Sequence, residues 1–463
     1  MIPMLDQNIA REVLQEAVRT GGDFAEIFME DRIDHNIAMR SRLIENVGSN
    51  RLHGAGIRVL SGTNAVYVYT NDTSRQGLMN CARQAAAAVR SGKGCIVAPF
   101  IARDASRPEE FRLLPTDVKA DVKADKVRQA EAAARAVSNE IVQASVNYTD
   151  SVQDVLICNT EGTFVTDRRV WTRMSCGVVA SDGVENQSGS ESPGAMMGFE
   201  LFDERVDPEQ VGRTAATQAV TMLHAPVCPA GIMPVVIDNG FGGVIFHEAC
   251  GHSLEATSVG IGASEFCGKL GQRVAPDCVT AIDDGTPANE WGSLHVDDEG
   301  TATTKLVLIE NGILKNYMID RLGSRRMNMP MTGSGRRQSY AFAPTSRMRN
   351  TYIAPGTDDE KEMIATMGDG LYARKMGGGS VNPATGEFNF AVNEGYLVKD
   401  GKIAHPVRGA SLIGRGSEVL MRIDRVGSDL QCAQGMCGSL SGSVPTNVGQ
   451  PMIRVSSLTV GGR

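Results

Sequence analysis

The spacing of hydrophobic positions changes several times along the first half of the chain. Over 6–20 (DQNIAREVLQEAVRT) they recur at helical intervals, Asp6 stands where a cap is needed, and Gly21-Gly22 ends the run. Alternating or β-rich stretches follow at 25–32, 36–47, 54–62 and 64–72, the last two joined through Gly62-Thr63. Residues 73–90 return to helix. This order predicts helices on one face of an antiparallel meander, an α+β layer. Residues 103–127 are rich in proline and charge, include the near-repeat DVKADVKADK, and read as a surface connection into an alanine-rich helix ending near 138. Strands are predicted at 141–149, 151–158, 161–168 and 173–180, a loop at 191–198, and a helix at about 208–224.

Three prolines within 224–234 mark a change of character. We expect an N-terminal α+β domain over 1–226 and a β-rich C-terminal domain over 227–463. In the second, 235–239 reads as a buried strand, 240–256 as a helix, and 303–321 as a hairpin turning at Asn311-Gly312.

Composition narrows the class without naming a chemistry. Of the 463 residues, 42% are hydrophobic and 22% charged, as in a soluble globular protein, and 51 glycines fit many turns. A net charge of -8 argues against a protein that coats nucleic acid. The first residues lack a basic flank before an apolar run, and no stretch approaches the roughly 18 apolar residues of a membrane helix. A cytoplasmic protein with no membrane segment is the expectation. Its ten scattered cysteines are then reduced thiols, mostly buried.

Candidate chemistry sits at the middle, in Phe246–His252, FHEACGH. It resembles His-Glu-x-x-His with one residue added. Two histidines four apart on an α-helix stand about 40° apart in projection and can share an ion, whereas five apart they diverge by about 140°. A π-type bulge would return them to within roughly 50°. Alternatively the helix ends between them, and Gly251 supplies backbone freedom for either solution. Glu248, beside the first histidine, is placed to accept a proton from a water held by the ion. On spacing alone, two structural histidines and a surface glutamate are the favoured reading, because this pattern is looser than His-Glu-x-x-His.

The wider sequence adds to this. VVIDNGFGGVIFHEACGHSLEA, DDGTPANEWGSLHVDDEGTATTKLVLIENGILKNYMIDR, GRRQSYAFAPTSRMRNTYIAPG, FNFAVNEGYLVKDGKIAHPVRGASLIGRG and GMCGSLSGSVPTNVGQPMIRVSSLTVGG resemble, in order, the TldD/PmbA family over 230–463. TldD-type chains carry His-Glu-x-x-x-His and are metallopeptidases, while PmbA (TldE) chains lack it and act as partners. The resemblance implies zinc held by His247, His252 and Cys437, with Glu248 as the catalytic glutamate. It also implies a dimer, with a TldE/PmbA-type subunit or with itself, acting on small or unfolded peptides in their maturation or degradation.

Other residues carry weaker expectations. Cys432 is a rival thiolate, and Glu255, three beyond His252, is either a ligand or a hydrogen-bond partner of a ligand histidine. The basic segment from Arg325 to Arg337, with Arg347 and Arg349, either stands in solvent or lines an entrance where Arg336, Arg337 and Arg347 grip substrate carbonyls or carboxylates. His295 with Asp297-Asp298-Glu299 reads as an acidic turn. Two rival functions remain: a non-catalytic binding or regulatory subunit, and a cysteine peptidase using Cys250, whose position on the same helix as its histidines gives poor geometry.

Overall fold

The computed structural model describes residues 5–89, 92, 94–107, 110–382 and 385–462. Its first helix, Gln7–Ala17, starts where Asp6 accepts hydrogen bonds from the Asn8 and Ile9 N–H groups at 2.8 and 3.3 Å. Arg75–Ala88, capped by Ser74, lies beside it, and the pair buries Leu14, Val18 and Leu78 against Ile27 and Ile57 of the sheet. A second pair, Ala120–Arg135 and Pro208–Leu223, covers the other end of the same sheet. There Gly212 lets the two helices touch, since a Cβ would lie 2.0 Å from the Ala130 carbonyl.

That sheet runs Asn64–Thr70, Leu43–Ser61, Phe24–Arg40, Ile141–Asn159, Thr163–Ser181 and Ile101–Asp104, antiparallel except for the last pairing. Several expected breaks do not exist. The strand Phe24–Arg40 runs unbroken across 33–35, and 141–149 with 151–158 form a single strand of 19 residues. Polar residues along these strands are paired across them. Arg168 lies opposite Asp154 and donates two hydrogen bonds to it at 2.6 and 2.8 Å, and Arg51 reaches Asp31. The reversal falls at Ser41-Arg42, inside the expected second strand, with φ of 47° and 73°.

The C-terminal region is β-rich, which confirms the α+β class. Five strands pair in a ring, Gly370–Val381, Gly231–Ile237, Ile453–Gly461, Ser411–Arg415 and Glu387–Lys399, the last returning to the first. A second sheet runs Ile313–Leu314, Lys305–Glu310, Ala281–Asp284, Asn350–Ile353, Gly442–Gln450 and Gln431–Ser439. Its expected turn is present, with Asn311 and Gly312 at φ 47° and 78°. One apolar cluster, including Ile237, Phe246, Leu308, Phe390 and Val455, fills the space between ring and sheet.

Buried ion pairs join the two halves. Arg58 binds Glu26 at 2.9 Å and also Glu299, Arg337 binds Glu26 at 2.7 Å, and Arg169 binds Asp298 at 2.6 Å. All ten cysteines are free. No helix among the described residues is long and apolar enough to cross a membrane.

Candidate metal centre

Leaving the strand Gly231–Ile237, the chain enters a segment whose winding changes three times. It is 3-10 over Gly240–Gly243, α over Val244–Phe246, π over His247–Gly251 and 3-10 again over His252–Leu254. The helix expected over 240–256 is therefore irregular, and the extra residue between the histidines is taken up by the π turn, in which the His252 N–H bonds to the His247 carbonyl. The two rings end with centroids 5.3 Å apart and planes at 82°. Gly251 keeps ordinary helical angles, φ -56° and ψ -52°. Its value is space, not backbone freedom, because a Cβ there would lie 2.3 Å from Met348 Sδ.

The third donor arrives from the far end of the chain. Gly243 packs so tightly on the strand Gly442–Gln450 that a Cβ would sit 2.5 Å from the Gly449 carbonyl. That strand pairs with Gln431–Ser439 and places Cys437 opposite Val444. Cys437 Sγ stands 3.3 Å from His247 Nε2 and 3.2 Å from His252 Nε2. Donor atoms on these three residues all lie within 4.8 Å of one another. Tetrahedral zinc with its usual bond lengths would separate sulfur from nitrogen by about 3.5 Å, so the set fits one such ion. Burial opposes ionisation of the Cys437 thiol, but the adjacent His247 and His252 outweigh it and pull the pKa to about 3. Burial likewise opposes charge on His252, which Glu255 and Cys437 restore, raising it well above the usual value.

Neighbouring groups fix the donors. Glu255 accepts from His252 Nδ1 at 3.2 Å and orients that ring. Arg347, fully buried, donates to the Cys437 carbonyl, to Ser441 Oγ at 3.0 Å and to the Gly442 carbonyl at 2.8 Å, pinning the hairpin that bears the thiol. His247 Nδ1 is buried without a hydrogen-bond partner among the described residues. Glu248 keeps 32% of its side chain exposed, with Oε2 3.7 Å from His252 Nε2.

The remaining expected residues are placed elsewhere. Cys432 lies outside the donor group, its thiol pushed up to about 12 chiefly by burial. Cys250 is buried, and burial raises its pKa too, which is unsuited to a nucleophile. The end of the basic stretch turns inward: Arg336 and Arg337 are 2% and 4% exposed and line a cavity, while Arg347 faces the hairpin. Asp297 forms the acidic turn, accepting from the Glu299, Thr301 and Gly335 N–H groups. His295 bridges Asp167 and Glu110 at 2.8 and 3.1 Å. Sequence reasoning passed over Trp171 and Trp291, although a chain with only two tryptophans that meet at one cavity offered a compositional hint.

Two imidazoles and a cysteine sulfur around one point, beside a partly exposed carboxylate, form a group that could hold a metal ion. The chain matches the PmbA/TldA metallopeptidase domain 1 over residues 25–89, the central domain over 113–223 and the C-terminal domain over 230–462. It is 34% identical to the metalloprotease TldD homolog of Haemophilus influenzae, over 95% of this chain and 93% of that protein. It is 33% identical to a zinc metalloprotease TldD homolog of Saccharolobus solfataricus over 62% of this chain and 63% of that one. The fold resembles the crystal structure of TldE from Thermococcus kodakarensis, with a TM-score of 0.78 at 17% identity, covering 98% and 99% of the two chains. The chain belongs to the PmbA/TldD metallopeptidase family.

Proposed function

We propose that this protein is a zinc-dependent peptidase of the TldD type that hydrolyses small or unfolded peptides. It works as a dimer, with a TldE/PmbA-type subunit or with itself, in the maturation or degradation of peptides. Ten free cysteines suit a reducing cytoplasm. The observation that carries the reading is the meeting of Cys437 with His247 and His252, 190 and 185 residues away in sequence, next to Glu248.

His247, His252 and Cys437 would hold the zinc, which when bound supplies Lewis acidity toward a carbonyl oxygen and lowers the pKa of a water. Glu248 takes the proton of the attacking water on a carboxylate oxygen and passes it to the leaving amine nitrogen. Glu255 keeps His252 Nε2 turned to the centre, and Arg347 keeps the thiolate in place. The strand Gln431–Ser439 is the edge of its sheet, so an extended substrate can pair its main chain there, which favours unfolded chains over folded ones.

Glu248→Gln decides the assignment of the base. The variant should keep one zinc per chain by elemental analysis while cleavage of an unfolded peptide falls by about 10²–10⁴. Cleavage at the unaltered rate would remove Glu248 from the chemistry. A wild-type chain that carries zinc yet cleaves nothing, alone or with a TldE-type subunit, would favour a binding subunit.

A further inference from the structure

Between the N-terminal sheet and the hairpin that bears Cys437 lies a cavity of about 300 Å³. Its walls are apolar in part, with Trp171, Trp291, Met436 and Pro445, and it also carries four arginines. Three of these are neutralised. Arg32 pairs with Asp34 at 3.1 Å, Arg169 with Asp298 and Asp167 at 2.6 and 3.2 Å, and Arg337 with Glu26 at 2.7 Å.

Arg336 is different. Among the described residues no carboxylate oxygen comes within 4.0 Å of its guanidinium, and its one hydrogen bond runs from Nη1 to the Met348 carbonyl at 2.7 Å. The residue is only 2% exposed. The side chain lines the cavity. A guanidinium withdrawn from water without an anion is costly. Burial, eased by Asp298 and reinforced by Arg347 and Arg169, lowers its pKa to about 10. That arrangement leaves a forked donor waiting for two acceptor oxygens.

We propose that this cavity is a carboxylate subsite of the peptidase, in which Arg336 takes a substrate carboxylate and Trp171, Trp291 and Met436 take the carbon chain beside it. The proposal rests on the peptidase reading and narrows its substrates to peptides that can present a carboxylate here, from their C-terminus or from an Asp or Glu side chain. Alternation along Gln431–Ser439 turns the Cys437 thiol to one face of the hairpin and Met436 to the other. Val444, directly across from Cys437 and so on its face, also lines the cavity, which brings an anchored peptide against both faces of the hairpin that presents the thiol.

The chain's only two tryptophans both line this cavity, so their emission reports occupancy without any turnover. Full-length Glu248→Gln protein, loaded with zinc, is titrated with N-acetyl-trialanine, with its C-terminal amide, and with N-acetyl-Ala-Glu-Ala amide. The free acid should change the emission saturably, and the trialanine amide should bind about tenfold more weakly. Arg336→Gln should erase that preference, and Arg336→Lys should restore part of it. Tight binding of the glutamate peptide assigns the site to side-chain carboxylates as well, whereas weak binding restricts it to C-termini. Equal affinity for acid and amide, or emission indifferent to all three peptides, overturns the subsite. The acid-to-amide ratio decides even if the Arg336 variants do not fold. Failure of hydrolysis in the wild type with the acid preference intact would refute the peptidase and not the subsite.

Discussion

Two clusters of buried ionisable groups hold this molecule's chemistry, and they are built on opposite terms. At the junction of the halves, Arg58, Glu26, Glu299 and Arg337 are each at most 4% exposed, and every charge meets an opposite one. Burial works against the Glu26 carboxylate, yet Arg58 and Arg337 hold its pKa below the usual value. At the centre around Cys437, three donors converge on one another, and one imidazole nitrogen has no partner among the described residues. The first cluster is electrostatically closed and locks two surfaces together. The second brings three ligand-type side chains to one point, where a cation could bind. Burial alone thus does not mark a reactive site; what separates the two is that one pairs opposite charges across a junction while the other gathers metal-ligand side chains at a point.

This contrast can be broken by substitution. Cys437→Ser should abolish stoichiometric zinc binding and with it peptide cleavage while leaving the fold intact, as elemental analysis and circular dichroism would reveal; full zinc occupancy would dissolve the proposed centre. Arg58→Met should do the reverse, lowering unfolding free energy by about 3–5 kcal/mol through the stranded Glu299, with zinc content unchanged. Denaturant titration reads the first effect, and a loss of metal would blur the distinction. Glu255→Gln should weaken zinc binding by about 10–100-fold, measured by chelator competition, because the His252 ring loses its charged acceptor.

The smallest effect concerns His295. Burial disfavours its charge, but the hydrogen bonds and charges of Asp167 and Glu110 prevail and raise its pKa above 6.5. A raised histidine pKa contributes stability that is complete below the unfolded-state value and fades as pH rises through the folded one. The thermal midpoint of the wild type should therefore exceed that of His295→Gln at pH 6 and converge on it toward pH 9. A gap that widens with pH would reverse the assignment.

Much of this was legible before any coordinates. Asp6, the Asn311-Gly312 turn and the five-residue step between His247 and His252 each predict a local geometry that the fold contains. Long-range facts were harder to read. The break expected at Asp150 is absent because His35 of a neighbouring strand and Lys123 of a helix pair with its carboxylate, which no local pattern announces. The arginines of 325–337 look solvated for the same reason, since Asp23 and Glu26 reach Arg325 and Arg337 only after the two halves close. Gly251 reads as flexible because sequence records the absence of a side chain and not the Met348 sulfur that requires it.

The position of Cys437 near the end of 463 residues also orders events in time. Synthesis proceeds from the N-terminus, so a growing chain owns both histidines for 185 residues before the sulfur exists. During that interval the nascent polypeptide has only two of its three donors. On the peptidase reading, a copy that stops ahead of Cys437 lacks one of the three donors and is kept from stray proteolysis by the order of its own residues.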